Sequence, residues 1–210
     1  MIEKLTPVEL QQLSERIHLH AVKAGHWNYP RTNEHNLMMV ITEIAEAVEA
    51  DRKDRRVDNV ESYIARVKKH EENKQLEYIP PTYEYWIKHT IEEEFADIAI
   101  RLIDLVYISK LSFDTFDLDA QFNRLNLRNN PSLAPDHYDF SKHPFVDNAF
   151  YLTLSLADTI YSIETNILTT LFELFRWADY LNIDMRFHIT EKLRYLEIRE
   201  ARYISTHKKY

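Results

Sequence analysis

Two pairs of acidic residues, each in a predicted helix, have a spacing that could bind a divalent cation. In one pair, Glu94 and Asp97 are three residues apart, and Arg101 and Asp104 continue the same helix face. The residues between them are apolar, so the charged stripe has apolar surface on both sides, unlike a solvated face. Buried carboxylates repel each other unless a cation compensates them. Magnesium prefers carboxylate ligands, although pairing with Arg101 could also explain the stripe.

A second acidic pair strengthens the metal interpretation. Glu43 and Glu46 are also three residues apart, in an equally apolar stretch. If the two helices pack antiparallel, the four carboxylates can face a common centre, as in helical-bundle metal sites. Neither pair carries the histidine that di-iron bundles use. Glu49 lies on the same side and could support the site, or could be an ordinary exposed acid. The predicted metal ligands are Glu43, Glu46, Glu94 and Asp97.

The composition favours an all-α fold and argues against several classes of protein. Gly25 is the only glycine, and the tight turns of hairpins and phosphate-binding loops normally need glycine. The formal net charge of -8 disfavours a protein that binds duplex DNA. Without cysteine, disulfide and thiolate chemistry are excluded. No apolar run reaches the roughly 18 residues of a membrane-spanning helix. We expect a soluble, cytoplasmic protein that binds neither nucleic acid nor membrane.

Hydrophobic periodicity predicts the helices that would position the acids. The first begins at Thr6 and Pro7, with Glu9 where a capping box requires it. The proline pair at residues 80–81 is expected to stop what precedes it, and residues 111–148 to be irregular with a short helix at about 119–128. The other helices are predicted at about 33–56, through the charged stretch 51–75, at 82–109, at 145–181 with a break at 164–166, and at 184–203.

Further motifs accompany the acidic pairs. Residues 41–47 (Ile-Thr-Glu-Ile-Ala-Glu-Ala) and 94–98 (Glu-Phe-Ala-Asp-Ile) form an ExxE pair followed by an ExxD pair. Residues 24–33 (Ala-Gly-His-Trp-Asn-Tyr-Pro-Arg-Thr-Asn) precede them, and residues 192–199 (Lys-Leu-Arg-Tyr-Leu-Glu-Ile-Arg) lie near the end. In these features the chain resembles the MazG-like all-α nucleoside triphosphate pyrophosphohydrolases, which include relatives of the dimeric dUTPases. Leu196 departs from the pattern, since the family usually has asparagine there.

The resemblance implies a fold and an activity. The fold would be a single all-α domain over residues 1–210, a MazG-like four-helix bundle with insertions at about 53–81 and 109–165. The activity would be Mg²⁺-dependent hydrolysis of a nucleoside triphosphate, with a deoxynucleotide expected, to the monophosphate and pyrophosphate. Mn²⁺ could replace Mg²⁺, and a homodimer or higher homo-oligomer is expected. The alternative is a non-catalytic regulatory or scaffold protein that keeps this fold.

The resemblance also implies roles for individual residues. Glu46 is the candidate catalytic residue, which would accept a proton from water. Lys192 and Arg199 are candidate phosphate clamps, although each could be an ordinary solvated cation. Trp27 could contact the substrate or could be a core aromatic that anchors its loop. The candidate substrate-binding residues are Trp27, Arg31, Asn33, Lys192, Tyr195 and Arg199. The candidate supporting residues are Glu49, Arg101 and Asp104.

Overall fold

Helices are the regular secondary structure of the described part of the chain. A computed structural model describes residues 5–113 and 138–207, and every regular element in these two ranges is a helix, which confirms the all-α prediction. Short 3-10 helices occupy Leu76–Tyr78 and Phe140–Lys142. The α-helices are α1 (Pro7–Lys23), α2 (Asn33–Arg52), α3 (Val60–Glu72), α4 (Ile79–Trp86), α5 (Ile91–Ile108), α6 (Phe145–Ala157), α7 (Ile163–Tyr180) and α8 (Met185–His207).

Hydroxyl and carboxylate caps define most helix starts. Thr6 forms a complete capping box with Glu9, as predicted, because each side chain bonds the other residue's backbone N–H. Thr90 accepts a hydrogen bond from the N–H of Glu93, which begins α5 immediately before the acidic pair. Asp184 accepts from the N–H of Phe187 and caps α8. These caps satisfy N–H groups that the helix itself leaves unpaired.

The predicted helix over residues 82–109 is wrong, because the structure has two helices there. Pro80 and Pro81 do not stop a helix but lie in the first turn of α4, where proline's missing N–H is not needed. After α4 the chain turns at His89, whose φ of 64° lies in the left-handed region. Such a turn has no strong sequence signal when the residue is histidine rather than glycine.

Three other boundaries differ from the predictions or lie outside the structure. α2 ends at Arg52 rather than near residue 56, and Asp54 follows with a left-handed φ of 50°. The break in the predicted 145–181 helix falls at residues 158–162, where Ser162 caps α7, rather than at 164–166. The predicted short helix at about 119–128 lies outside the described residues.

α5 is the central helix of the main core. It packs against α1, α2, α7 and α8, and its apolar residues are buried around most of its circumference. α6 packs between α2 and α7 and contributes Ala149, Leu152 and Leu156 to the same core. This helix lies within the predicted insertion 109–165, so part of that segment belongs to the main core. The finer prediction of a MazG-like four-helix bundle stays a prediction.

A smaller core joins α3, α4 and α8. The Tyr83 and Tyr195 rings stack with their centroids 4.6 Å apart, and Tyr63 meets Tyr83 edge-on. Val67 and Ile79 complete its apolar interior. Part of the predicted insertion 53–81 therefore packs against α8. Among the described helices, none combines the length and apolarity needed to cross a membrane.

Candidate metal centre and adjoining cleft

α2 and α5 bring three of the four predicted metal ligands together. One carboxylate oxygen each from Glu43, Glu46 and Glu94 lies within 4.8 Å of the others. Glu46 approaches Glu94 near the start of α5, whereas Glu43 pairs with Arg101 further along it. The two helices therefore run in opposite directions, as predicted. The i, i+3 spacing on each helix is what lets both ends of the cluster face inward.

Glu94 is the least compensated acid of the cluster. It is only 4% exposed, and within the described residues its carboxylate makes no hydrogen bond or ion pair. Burial raises the pKa of Glu94 to about 8, and the neighbouring Asp97, Glu93 and Glu46 add to the rise. A divalent cation would compensate such a group. Three carboxylates with only oxygen donors fit Mg²⁺ or Mn²⁺.

Asp97 does not join the group formed by the other three acids and is paired with a lysine instead. The Lys192 ammonium donates hydrogen bonds to Asp97 Oδ2 at 2.5 Å and to Glu93 Oε1 at 2.7 Å. Burial raises the pKa of Asp97 to about 7, although Lys192 opposes the rise. Burial acts to lower the pKa of Lys192, but Asp97 and Glu93 outweigh it and hold that pKa above its usual value. Lys192 is therefore charged and links α8 to α5.

Glu93 is a functional candidate that the sequence reasoning missed. It is buried, and its second carboxylate oxygen accepts a hydrogen bond from the backbone N–H of His89. Glu93 precedes the ExxD pair within a run of three acids, which resembles an ordinary acidic first turn of a helix. The only sequence signal is that three consecutive acids are unusual at the start of a helix that is otherwise apolar. Glu92 accepts from the N–H of Val57 and so holds the segment after α2 against α5.

Arg101 supports the cluster from α5. Its guanidinium donates to Glu43 Oε1 at 2.5 Å, and it also lines the adjoining cleft. Glu49, the other candidate supporting acid on α2, is exposed and pairs with Lys53 at 2.7 Å. Of these two predicted supporting residues, Arg101 pairs with an acid of the cluster, whereas Glu49 lines a small cavity together with Glu46 and Glu94.

A cleft of about 300 Å³ adjoins the carboxylates between α1, the 24–32 loop, α2, α5 and α8. Glu43, Asp97, Asp104 and Glu200 are its acidic lining residues, and Leu196 also lines it. Its cationic lining comes from elements far apart in sequence, which concentrates positive charge beside the acids. Its predicted substrate-binding or supporting residues are Trp27, Arg31, Arg101, Asp104, Lys192 and Arg199.

Trp27 is both an anchor and a lining residue. Its indole N–H donates to Asp104 Oδ2 at 3.0 Å, and Asp104 Oδ1 contacts His18 Nδ1 at 2.8 Å. Gly25 begins this loop with a left-handed φ of 82°, and a side chain there would meet the Asn28 amide at 2.9 Å. Asp104 therefore fixes the loop that presents Trp27 to the cleft. His18 carries no sequence signal that marks this role.

Two predicted substrate contacts lie outside the cleft lining. Tyr195 is 1% exposed in the smaller core, and its hydroxyl donates to Glu84 at 2.9 Å. The guanidinium carbon of Arg199 lies 5.1 Å from the centroid of the Tyr195 ring. Tyr195 therefore positions Arg199, which lines the cleft, but does not line the cleft itself. Asn33 is exposed at the first position of α2 and does not line the cleft.

A second, smaller cavity opens on the other side of the acids. It holds about 120 Å³, and Glu46, Glu49 and Glu94 line it together with Lys53, Arg55 and His89. The sequence reasoning did not select those three basic residues, because each lies in a turn beyond a helix end, where periodicity carries no information. Glu43 thus lines the larger cleft and Glu46 and Glu94 line the smaller cavity, and each space has both acidic and basic lining residues.

No family model matches the chain, and searches of curated proteins and of solved structures find no significant match.

Proposed function

We propose that this chain is a Mg²⁺-dependent nucleoside triphosphate pyrophosphohydrolase of the MazG-like type. The observation that carries the proposal is the convergence of Glu43, Glu46 and Glu94 beside a cleft whose lining includes four Arg and Lys side chains. Hydrolysis of a phosphoanhydride mainly needs charge neutralisation and a positioned water, and this arrangement offers groups for both. The sequence motifs of these two helices support the same activity.

Glu43, Glu46 and Glu94 would hold the ion, and their oxygen-only donor set favours Mg²⁺, with Mn²⁺ as a substitute. When bound, the ion would neutralise phosphate oxygens and make water more acidic. Glu46 is the exposed member of the set and lines the smaller cavity. Its role in the proposal is to accept a proton from the attacking water. Asp97 would join only if Lys192 released it.

The cleft would bind the nucleotide. Arg31 and Arg199 are exposed at its rim, and Lys192 is buried at its floor, so the three could contact successive phosphates. Trp27, held by Asp104, offers a fixed aromatic surface on which a base could stack. A volume of about 300 Å³ lies at the lower end of the range for small-molecule sites.

A pyrophosphate-release screen tests the activity. The wild-type protein is incubated with Mg²⁺ and a panel of ribo- and deoxynucleoside triphosphates, and we expect release from at least one of them. Glu46→Gln should fold normally and lose turnover, because the glutamine amide, unlike a carboxylate, cannot accept a proton from water. Glu61→Gln, at an exposed position of α3, is the matched control and should keep the wild-type rate. Full activity in Glu46→Gln would remove Glu46 from the mechanism.

A non-catalytic scaffold is the second candidate, and the ion pairs favour it. Arg101 already neutralises Glu43, and Lys192 neutralises Asp97, so two predicted metal ligands have protein partners. Thermal unfolding with Mg²⁺, Mn²⁺ or Fe²⁺, with and without a non-hydrolysable deoxynucleotide analogue, separates the two candidates. The enzyme should be stabilised by Mg²⁺ or Mn²⁺ and further by the analogue. A scaffold would show no shift with any metal.

We also propose that the protein forms a homodimer or higher homo-oligomer. Val146, Phe150 and Leu154 recur at helical spacing on α6, and each is more than half exposed. An apolar stripe of this kind is typical of an association surface. Light scattering should give a mass of at least twice 25.2 kDa. Phe150→Asp should shift it toward the monomer, and a monomeric wild-type protein would contradict the proposal.

A further inference from the structure

His89 lies beside the carboxylate cluster on the side of the smaller cavity. A ring nitrogen of His89 and one carboxylate oxygen each of Glu93 and Glu94 lie within 4.8 Å of one another. The ring itself has no hydrogen-bond partner among the described residues, since only its backbone N–H is engaged, by Glu93. His89 is exposed, so its ring can rotate without breaking a core contact. The imidazole is therefore free to act as a ligand.

Glu94 belongs to both sets of acids. A carboxylate oxygen of Glu94 lies within 4.8 Å of oxygens of Glu43 and Glu46, and one lies within 4.8 Å of a His89 ring nitrogen and a Glu93 oxygen. The residue is 4% exposed and has no hydrogen bond or ion pair in the described ranges. Burying an unpaired carboxylate is costly, so a Glu94 carboxylate that belongs to both groups indicates cationic partners. A carboxylate with two oxygens can serve both sides at once.

Glu93 is already engaged but still has capacity. Lys192 binds one oxygen and the His89 backbone N–H binds the other, and these bonds fix the orientation of the carboxylate. An ionised carboxylate has about four lone-pair sites, so two bonds leave room for a metal. Ligands whose orientation is fixed by such neighbours generally bind metals more tightly.

The donor types at this second position differ from those of the first. Glu43, Glu46 and Glu94 offer oxygen alone, whereas His89 adds an imidazole nitrogen. Imidazole suits transition-series ions, and Mg²⁺ coordinates it poorly. We propose that His89, Glu93 and Glu94 form a second metal position that takes a transition-series divalent cation such as Mn²⁺, with Glu94 shared between the two positions.

This inference rests on the proposed function, because it shares Glu94 with the proposed catalytic site. Mn²⁺ electron paramagnetic resonance tests it without an activity assay. Pulsed measurements on wild-type protein titrated with Mn²⁺ should show coupling to an imidazole nitrogen. His89→Asn should lose that coupling and bind one ion fewer. Asparagine tolerates the left-handed backbone of this position, so the turn should persist.

His26→Asn is the matched control. His26 lines the larger cleft rather than the smaller cavity, so this variant should keep both the nitrogen coupling and the number of bound ions. The inference is overturned if wild-type protein shows no nitrogen coupling, which requires no variant to fold. It is also overturned if His89→Asn keeps the coupling or if His26→Asn loses it. Absence of pyrophosphate release would instead refute the proposed function, whatever the spectra show.

Discussion

At the scale of single residues, the two main buried charges of the site are those of Glu94 and Lys192. Glu94 is buried without a partner, whereas Lys192 is buried between two acids. The i, i+3 spacing of acids in apolar helices was enough to predict Glu94 and its neighbours on α2. The pairing of Lys192 with Glu93 was not predictable, because it joins residues 99 positions apart in sequence. Helical periodicity describes one helix at a time and contains no information on such contacts.

The first prediction concerns Glu94 and pH. Its pKa is about 8 in the folded protein and near 4.5 when unfolded. Between these values the folded protein retains a proton that the unfolded chain has lost, so the free energy of unfolding falls as pH rises. Glu94→Gln has no such titration. With a chelator present to remove metal ions, the free energy of unfolding of Glu94→Gln should therefore exceed that of wild type by an amount that grows from about pH 5 to about pH 8.

Urea unfolding of both proteins at several pH values measures this difference. His188 has the opposite dependence, because burial lowers its pKa to about 4 and its contribution rises with pH, but it is present in both proteins and cancels. Adding Mg²⁺ should stabilise wild type most at high pH, where Glu94 would otherwise be an unpaired charge. A stability difference that does not vary with pH would contradict this account of Glu94.

The second prediction concerns Lys192. Lys192→Met keeps the aliphatic packing but leaves the buried Glu93 and the partly buried Asp97 without their cation, so it should lower the free energy of unfolding by about 3 kcal/mol. Lys142→Met is the control, because Lys142 forms an exposed pair with Asp139 and its loss should cost less than about 1 kcal/mol. Denaturant unfolding at pH 8 measures both. Equal effects would show that the buried pairs do not stabilise the fold.

At the scale of elements, the start of α5 organises the site. Thr90 caps the helix, and the first turn then presents Glu92, Glu93 and Glu94 where the helix dipole favours negative charge. The caps at Thr6 and Asp184 were predictable, since capping residues act over three positions. The turn before α5 was not, because a left-handed histidine has no strong sequence signature and the prolines suggested a helix stop rather than a helix start.

The third prediction concerns this cap. Thr90→Ala should lower the free energy of unfolding by about 1 kcal/mol and also weaken Mn²⁺ binding, because the first turn of α5 carries two of the ligands. Thr6→Ala removes the matching cap of α1 and should cost a similar stability without changing metal affinity. Calorimetric Mn²⁺ titration together with thermal unfolding measures both effects. Unchanged Mn²⁺ affinity in Thr90→Ala would show that the cap does not support the metal site.

At the scale of the whole molecule, α5 joins one large core to the proposed site, and α8 joins that core to a smaller one. The all-α class followed from a single glycine and from helical periodicity. The number of helices around α5 did not, because α6 lies in a stretch that resembled an insertion and yet packs against α2 and α7. Burial of α6 depends on surfaces of distant helices, and local composition does not reveal such surfaces.

Product identity tests the central claim most directly. Wild-type protein is incubated with Mg²⁺ and the nucleoside triphosphate that it cleaves best, and ³¹P nuclear magnetic resonance follows the products. The account predicts nucleoside monophosphate and pyrophosphate in equal amounts, with a rate at least about 100-fold lower in Glu94→Gln, which loses the acid central to the metal cluster. Nucleoside diphosphate with inorganic phosphate, or equal rates in the two proteins, would contradict it.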